Sequence, residues 1–275
     1  MIDLHTHTHA SDGRLSPADL VACAARAGVT VLGVTDHDTV AGADAAAAAC
    51  RSAGLEFVPG IEVTAARDDA DVHVLGYFID VHSAPLLDFL AQQRLRRIDR
   101  VRAIVARLAG LGMPLDADAL VQPAIDDASK SAGRPWVARA MVAAGYAASI
   151  DVAFGRWLGR GRPAYVPRLA ASPSEVTERL HAAGGLVSLA HPGLLRHDEW
   201  LPGLIDAGID AIEAYHSEHD AAAASRYAEL ASRAGLLITG GSDFHGDNAH
   251  GAAAPGAATL PRDAWDALRL RMRHN

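Results

Sequence analysis

Lysine is almost missing from this chain: Lys130 is the only one, and arginine supplies the rest of the positive charge. With so many alanines, that bias reads as genome composition and not as function. Cysteine is nearly as scarce. Cys23 and Cys50 are the only two, which excludes a disulfide framework and a thiolate metal site. No stretch reaches the roughly 18 to 20 uninterrupted apolar residues of a membrane span. A secretory signal is not expected either, because Asp3 and His5 stand where a basic segment and an apolar segment would have to be. A reduced cytoplasm is the expected setting. Positive charge is in deficit overall, with a formal net charge of −8. That argues against a broad electrostatic grip on duplex DNA. It leaves room for a small anionic substrate, because bound cations reverse a local field. Internal repeats and low-complexity tails are also lacking.

What is present is enough for one large domain, or one domain with a substantial insertion: 275 residues, half of them apolar. Short apolar, β-branched runs alternate with alanine-rich helical stretches. Residues 29–38 (VTVLGVTDHD) read as a buried strand with a polar end. The helix before it is expected over 17–27, with Ser16 as its N-cap. A helix over about 39–53 follows, then strands LEFVPGIEV and VHVLGYF. Later come a helix over 174–183 and the strand-like runs LVSLAHP, IDAIEAYH and LLITGGSDFH. Such alternation implies an α/β fold with a parallel sheet and helices outside it. The middle differs. Residues 84–165 are arginine-rich and helical, with Ile98, Val101, Val105 and Leu108 at helical spacing and Gly112 and Pro114 as a stop. The next strand-like run there is AYVP at 164–167. The expected organisation is a barrel formed by 1–83 and 166–275, capped by a helical insertion over 84–165.

Polar residues fall at particular places in these units. His5, His7, His37, Glu62, His73, His191, Asp243 and His245 lie in or at the end of apolar strands. In an α/β barrel the strand C-termini converge on the face where chemistry is done. Residues two apart on a strand point the same way, so His5 pairs with His7 and Asp243 with His245. Taken singly, each has a structural explanation: His73 as a core histidine, His191 as a strand end before Pro192, SDFH as a turn. Together they are too many ionisable groups to bury unpaired. An expression tag is excluded, because the histidines alternate with Leu and Thr and run on into fold sequence. Imidazole and carboxylate ligands without thiolate suit Mn, Zn or Fe.

The segments DLHTHTHASDG, TDHDT, PGIEV, VHVLGY, LAHP and GSDFH, in this order, resemble the motifs of the PHP (polymerase and histidinol phosphatase) family of metal-dependent phosphoesterases. The resemblance runs through nearly the whole chain and implies a distorted (β/α)7 barrel. It also implies three divalent ions, manganese first, with zinc or iron as the other options. His5, His7, Glu62 and Asp243 would hold one ion. Glu62 would bridge to a second, shared with His73 and His191. Asp12, His37 and His245 would hold the third. Some members have histidine at the position of Asp12. His9 stands where Ser or Thr is more common and is not expected to be a ligand. Asp3, Asp36 and Asp38 are expected to orient imidazoles.

On this reading a water bridging two ions becomes hydroxide at neutral pH and attacks phosphorus in line. The third ion, or a nearby acid such as His216, stabilises the leaving oxygen; a solvated loop histidine is the equal alternative for His216. Substrate choice is assigned to the insertion. Lys130 and Arg134 are candidates to hold a second phosphate, and Trp136, where the family more often has histidine, to stack on a base. Arg160 and Arg162 form a second basic cluster. Ser172 opens a capping box more readily than an anion site. The SDG, GRP and GRGRPAYV segments look like the nucleotide-acting branch, which removes the 3'-phosphate of 3',5'-nucleoside bisphosphates or trims RNA from the 5' end. The expected partner is thus a small nucleotide or a short RNA. Histidinol phosphatase and a non-catalytic PHP domain are weaker alternatives, the second because every expected ligand is present.

Overall fold

Apolar strands that are too short to stand alone close on one another in this protein. The computed structural model describes residues 1–68, 70–127, 130–246 and 252–273. In chain order the first elements are β1 (Ile2–Asp3), α1 (Pro17–Ala27), β2 (Val31–Val34), α2 (Ala43–Ala53), β3 (Glu56–Arg67) and β4 (Ala70–Tyr77). Helices α3 (Ala84–Gly110), α4 (Ala117–Asp126), α5 (Arg134–Ala143) and α6 (Ile150–Ala153) follow, the last running into a π-helical turn. Then come α7 (Pro173–Ala182), β5 (Leu186–Leu189), α8 (Pro192–Leu195), α9 (Leu201–Asp206) and β6 (Ala211–His216). The chain ends with α10 (Ala221–Ala234), β7 (Leu237–Gly241) and α11 (Arg262–Met272). Two units result: Met1–Phe89 with Ala171–Asn275, and Leu90–Ala170. No helix among the described residues is long and apolar enough to cross a membrane.

In the first unit the strands form one 7-stranded sheet in the order β1 to β7. Its two edges meet. Leu4 N–H donates to Gly240 O (3.2 Å), Asp243 N–H to His5 O (2.8 Å) and His7 N–H to Phe244 O (3.0 Å). The result is a nearly closed barrel with helices around it. The sheet is not all parallel, as the alternation had led us to expect: β4 runs antiparallel to both β3 and β5. The reason is local. Arg67 pairs with Ala70 across a turn in which Asp68 adopts a left-handed φ of 49°. A turn that short can only reverse the chain.

Other boundaries follow from side-chain chemistry. Ser16 Oγ accepts from Asp19 N–H, Pro17 occupies the first turn, and Gly28 at φ 85° ends α1. The strand expected over 29–38 stops at Val34, because from Thr35 onward the backbone bonds to the β1 loop and to β3. Helix α2 begins at Ala43 and not near 39; Thr39 Oγ1 accepts from Ala41 N–H, a local turn that competes with helix. Residues 164–167 form no strand. Tyr165 N–H bonds back to Arg162 O, and Val166 O accepts from the Arg100 guanidinium.

Trp265 of α11 is fully buried against Ile2, Leu4, Val31, Leu75 and Leu186 at the base of the barrel. The second unit has its own core, in which Ile98, Val101, Ile104 and Leu108 of α3 meet Val121, Val137, Met141 and Leu158. Barrel closure demands a glycine at 241, where an added Cβ would lie 2.3 Å from His5 N and 2.5 Å from His5 Cβ. Gly241→Ala is therefore expected to cost about 1–3 kcal/mol of stability. It would also displace the strand that carries His5, so both a thermal melt and a metal titration should register it.

Candidate metal centre

Each strand delivers its polar residue to the same end of the barrel. Alternation along the chain after β1 turns His5 and His7 inward, while Thr6 between them bonds outward to Gly33 O (2.7 Å). His37 follows β2, Glu62 lies on β3, and His73 lies on β4. His191 follows β5, Glu213 and His216 lie on β6, and Asp243 and His245 follow β7. Three of the residues here hold left-handed backbone that non-glycine residues rarely adopt: Asp38 (φ 54°), His191 (φ 24°) and Asp243 (φ 55°). Strain of this kind persists where surrounding structure over-determines the position.

Glu62 is the hub. Its Oε1 lies 2.9 Å from both His73 Nδ1 and His191 Nε2. Its Oε2 lies 3.0 Å from His37 Nδ1, 3.3 Å from His5 Nε2 and 3.4 Å from His7 Nε2. Asp243 Oδ1 sits 3.0 Å from His7 Nε2 and 3.3 Å from His5 Nε2. Asp12 Oδ1 approaches His245 Nε2 at 3.2 Å, and Asp12 Oδ2 lies 3.8 Å from His37 Nε2. The donor atoms gather into overlapping sets close enough for one ion each: His5, His7, Glu62 and Asp243; His7, Asp12, His37 and His245; His37, Glu62 and His73; and His5, Glu213 and His216. The residues that the resemblance assigned as ligands all fall in these sets except His191, which reaches the cluster through Glu62 Oε1, and His7 also belongs to the set that contains Asp12. His5, His7 and Glu62 are fully buried, whereas the Asp12 side chain is 51 % exposed, so the site opens on that side.

The fit to cations shows in where lone pairs point. His5 Nε2, both His7 nitrogens, Glu62 Oε2, His73 Nδ1 and Asp243 Oδ1 are buried and make no hydrogen bond, although several lie within 3.0–3.4 Å of one another. Within each set the donor atoms lie no more than 4.8 Å apart. Buried polar groups without partners are costly, and divalent ions held in these sets would satisfy them. Oxygen and imidazole donors in this number suit Mn, Fe or Zn.

Electrostatics agree. Burial opposes charge on Glu62, yet the surrounding imidazoles of His37, His73 and His5 hold its carboxyl well below the usual range. Asp243 is likewise held low against burial by His5, His216 and His7. Burial also opposes a charged His37, but Glu62 and Asp12 push it up to about 9. His7 goes the other way: burial first, then the neighbouring His37, lower it to about 3. Its ring stacks on His245 at 4.1 Å and on His37 at 4.5 Å, and it is uncharged at neutral pH.

The supporting carboxylates differ from expectation. Asp3 takes Ser242 N–H (2.9 Å), Ser242 Oγ (2.7 Å) and Gly256 N–H (2.7 Å). Asp36 takes Thr8 N–H (2.7 Å) and the hydroxyls of Thr8 and Ser11. Asp38 takes Thr64 N–H (2.8 Å). Through these contacts Asp3 and Asp36 brace the loops that carry the candidate ligands, and Asp38 ties its own loop to β3. Beyond the expected ligands, a carboxylate that touches an imidazole of the cluster is Glu213, which sequence reasoning missed: Oε1 is 2.9 Å from His5 Nδ1. Its only sequence signal is an acid inside the apolar run AIEAYH. His216 is buried, 3 % exposed, and is not a solvated loop residue. Its Nδ1 accepts from Glu218 N–H, which puts its proton on Nε2, 3.3 Å from Asp243 Oδ2.

The remaining candidates divide between the units. Ser172 is the N-cap of α7, its Oγ accepting from Glu175 N–H at 3.2 Å. Lys130, Arg134, Trp136, Arg160 and Arg162 all belong to the second unit. There Lys130 pairs with Asp127 (3.7 Å), Arg134 lies beside the rings of Phe154 and Tyr165, and Trp136 packs half-buried against the core. Arg160 and Arg162 are exposed, and so is His9, which stands outside every ligand set.

Comparison with known proteins agrees with this geometry. Residues 3–129 match the PHP domain. The chain is 35% identical over 252 residues to the 5'-3' exoribonuclease Rnm of Salmonella typhimurium, covering 88% of this chain and 84% of the relative. It is 32% identical over 281 residues to the 3',5'-nucleoside bisphosphate phosphatase of Chromobacterium violaceum, covering 98% and 97%. A crystal structure assigned to a metal-dependent phosphoesterase of Bifidobacterium adolescentis superimposes with a TM-score of 0.75 at 32% identity, covering 98% of this chain and 95% of that one. With relatives this similar over most of its length and a cation-ready cluster at the mouth of its barrel, the chain belongs to the PHP-domain family of metal-dependent phosphoesterases.

Proposed function

We propose that this protein removes the 3'-phosphate from 3',5'-nucleoside bisphosphates, using three divalent ions, manganese first among them. The observation that carries the reaction class is the cluster of buried imidazole and carboxylate atoms, several without a hydrogen-bond partner, whose donor atoms lie within 4.8 Å of one another in each set. Bound ions supply an acidified water as nucleophile and neutralise the phosphoryl oxygens. The chain's own part is placement. Glu62 spans the ligand sets, and Asp243 faces both His5 and His7. Asp12, His37 and His73 line the accessible side, where a phosphate enters. His216 holds Asp243 through Nε2, and as proton donor to the leaving oxygen it would give up that contact.

Substrate size is supported by the end-to-end similarity to the Chromobacterium violaceum phosphatase. A cavity of about 250 Å³ beside His73 and His191 adds to it. Its walls are Val72, Leu189, Ala190, Leu194 and Leu195, with Asp71 as the carboxylate, so it suits a sugar or base better than a second phosphate. Lys130 and Arg134 are the proposed holders of that second phosphate. Exoribonuclease action from the 5' end is the second reading, favoured by the higher identity to the Salmonella typhimurium enzyme. Both need the same P–O cleavage. Parallel assays with Mn²⁺ on adenosine 3',5'-bisphosphate, histidinol phosphate and a 5'-phosphorylated oligoribonucleotide separate them. Preference for the bisphosphate is expected; preference for the oligonucleotide would replace the substrate assignment and leave the ion site standing.

A further inference from the structure

Glu213 has no exposure, sits in the apolar strand β6, and divides its two oxygens between donors from two other parts of the barrel. Oε1 lies 2.9 Å from His5 Nδ1, and Oε2 accepts the backbone N–H of His191 at 2.8 Å. The first contact reaches past β7 to β1; the second reaches the end of neighbouring β5. A carboxylate accepts and does not donate, so His5 must carry its proton on Nδ1. Its Nε2 lone pair is then left facing Glu62 Oε2 and Asp243 Oδ1, each at 3.3 Å. The second contact fixes a residue with unusual backbone, φ 24° and ψ 62°, immediately before Pro192. With that N–H held, the His191 ring stacks on His5 at 5.7 Å and brings Nε2 to Glu62 Oε1 at 2.9 Å.

We infer that Glu213 is a positioning residue of the ion site: one side chain sets the tautomer and tilt of His5 and locks the strained backbone that presents His191. This rests on the metal-centre reading. A direct ligand role fits the geometry less well, because both Glu213 oxygens already accept N–H groups. An amide offers one acceptor oxygen where a carboxylate offers two. Glu213→Gln therefore satisfies either His5 or His191 and turns an NH₂ toward the other donor.

The test uses ¹⁵N-histidine spectra of the Zn²⁺-loaded wild type, together with Mn²⁺ titration calorimetry of wild type, Glu213→Gln and Glu213→Asp. The spectra are expected to show His5 bound through Nε2 with a slowly exchanging Nδ1–H. Glu213→Gln should bind Mn²⁺ about 10- to 100-fold more weakly with unchanged stoichiometry. Glu213→Asp, which keeps both acceptors, should recover part of that loss. Zinc on His5 Nδ1, the loss of one ion from the stoichiometry, or Mn²⁺ affinity within about twofold of wild type would each overturn the inference. The wild-type spectrum decides the matter even if a variant fails to fold. A wild type that takes up neither ion would instead overturn the metal centre itself, and the inference with it.

Discussion

Glu62→Gln is expected to lower phosphoester hydrolysis by at least about a thousandfold, equivalent to roughly 4 kcal/mol of lost transition-state stabilisation. The substitution keeps the shape of the side chain and removes its charge. That charge is what His73, His191, His37, His5 and His7 share within 2.9–3.4 Å. Glu62 belongs to two of the four ligand sets and lies within 3.4 Å of histidines that belong to the other two, so its loss is expected to weaken them together. Bound metal per chain, measured by elemental analysis, should fall along with phosphate release. A variant that retained wild-type metal content and activity would show that Glu62 is only a buried counter-charge.

The second large effect is in pH. Without an ion, His37 titrates near 9, because Glu62 and Asp12 favour its charged form against burial. An ion has to displace that proton, so its apparent affinity rises with pH up to about 9. One displaced proton gives about tenfold per pH unit, or roughly a hundredfold between pH 7 and 9. His5, His191 and His245, also raised, add to the slope, while His7, lowered to about 3, is neutral throughout. Stability of the ion-free chain moves the opposite way. The folded-state value of His37 lies above its ordinary 6.5, so its contribution is complete below 6.5 and is lost as pH rises through about 9. The rise in Tm on adding Mn²⁺ should therefore be larger at pH 9 than at pH 6.5. An equal rise at both would mean that ions do not compete with protons at this site.

Much of the site is legible in the amino-acid order, because ligands on strands announce themselves. His5 and His7 two apart, Glu62 in PGIEV, His73 in VHVLGY and Asp243 with His245 are ionisable groups inside apolar runs, and such groups are buried only with partners. The helix caps at Ser16 and Ser172 are equally local, since each is a contact across three residues. The helical character of residues 84–165 follows from the spacing of Ile98, Val101, Val105 and Leu108, all of them buried in the folded chain.

What the order of residues could not decide depends on distance along the chain. Asp3 looked like a partner for an imidazole and instead holds Ser242, 239 residues away. Glu213 looked like one acid in a strand, and its partner His5 lies 208 residues earlier. The direction of β4 turned on a reversal at Asp68 that strand–helix alternation does not record. By itself the sequence determined which side chains can bind cations and which strands carry them, because burial of charge and strand periodicity are local properties. Only the tertiary structure decided which atoms of those side chains approach one another, because closing β1 against β7 brings His5 and His7 beside Asp243 and His245 at the same mouth of the barrel.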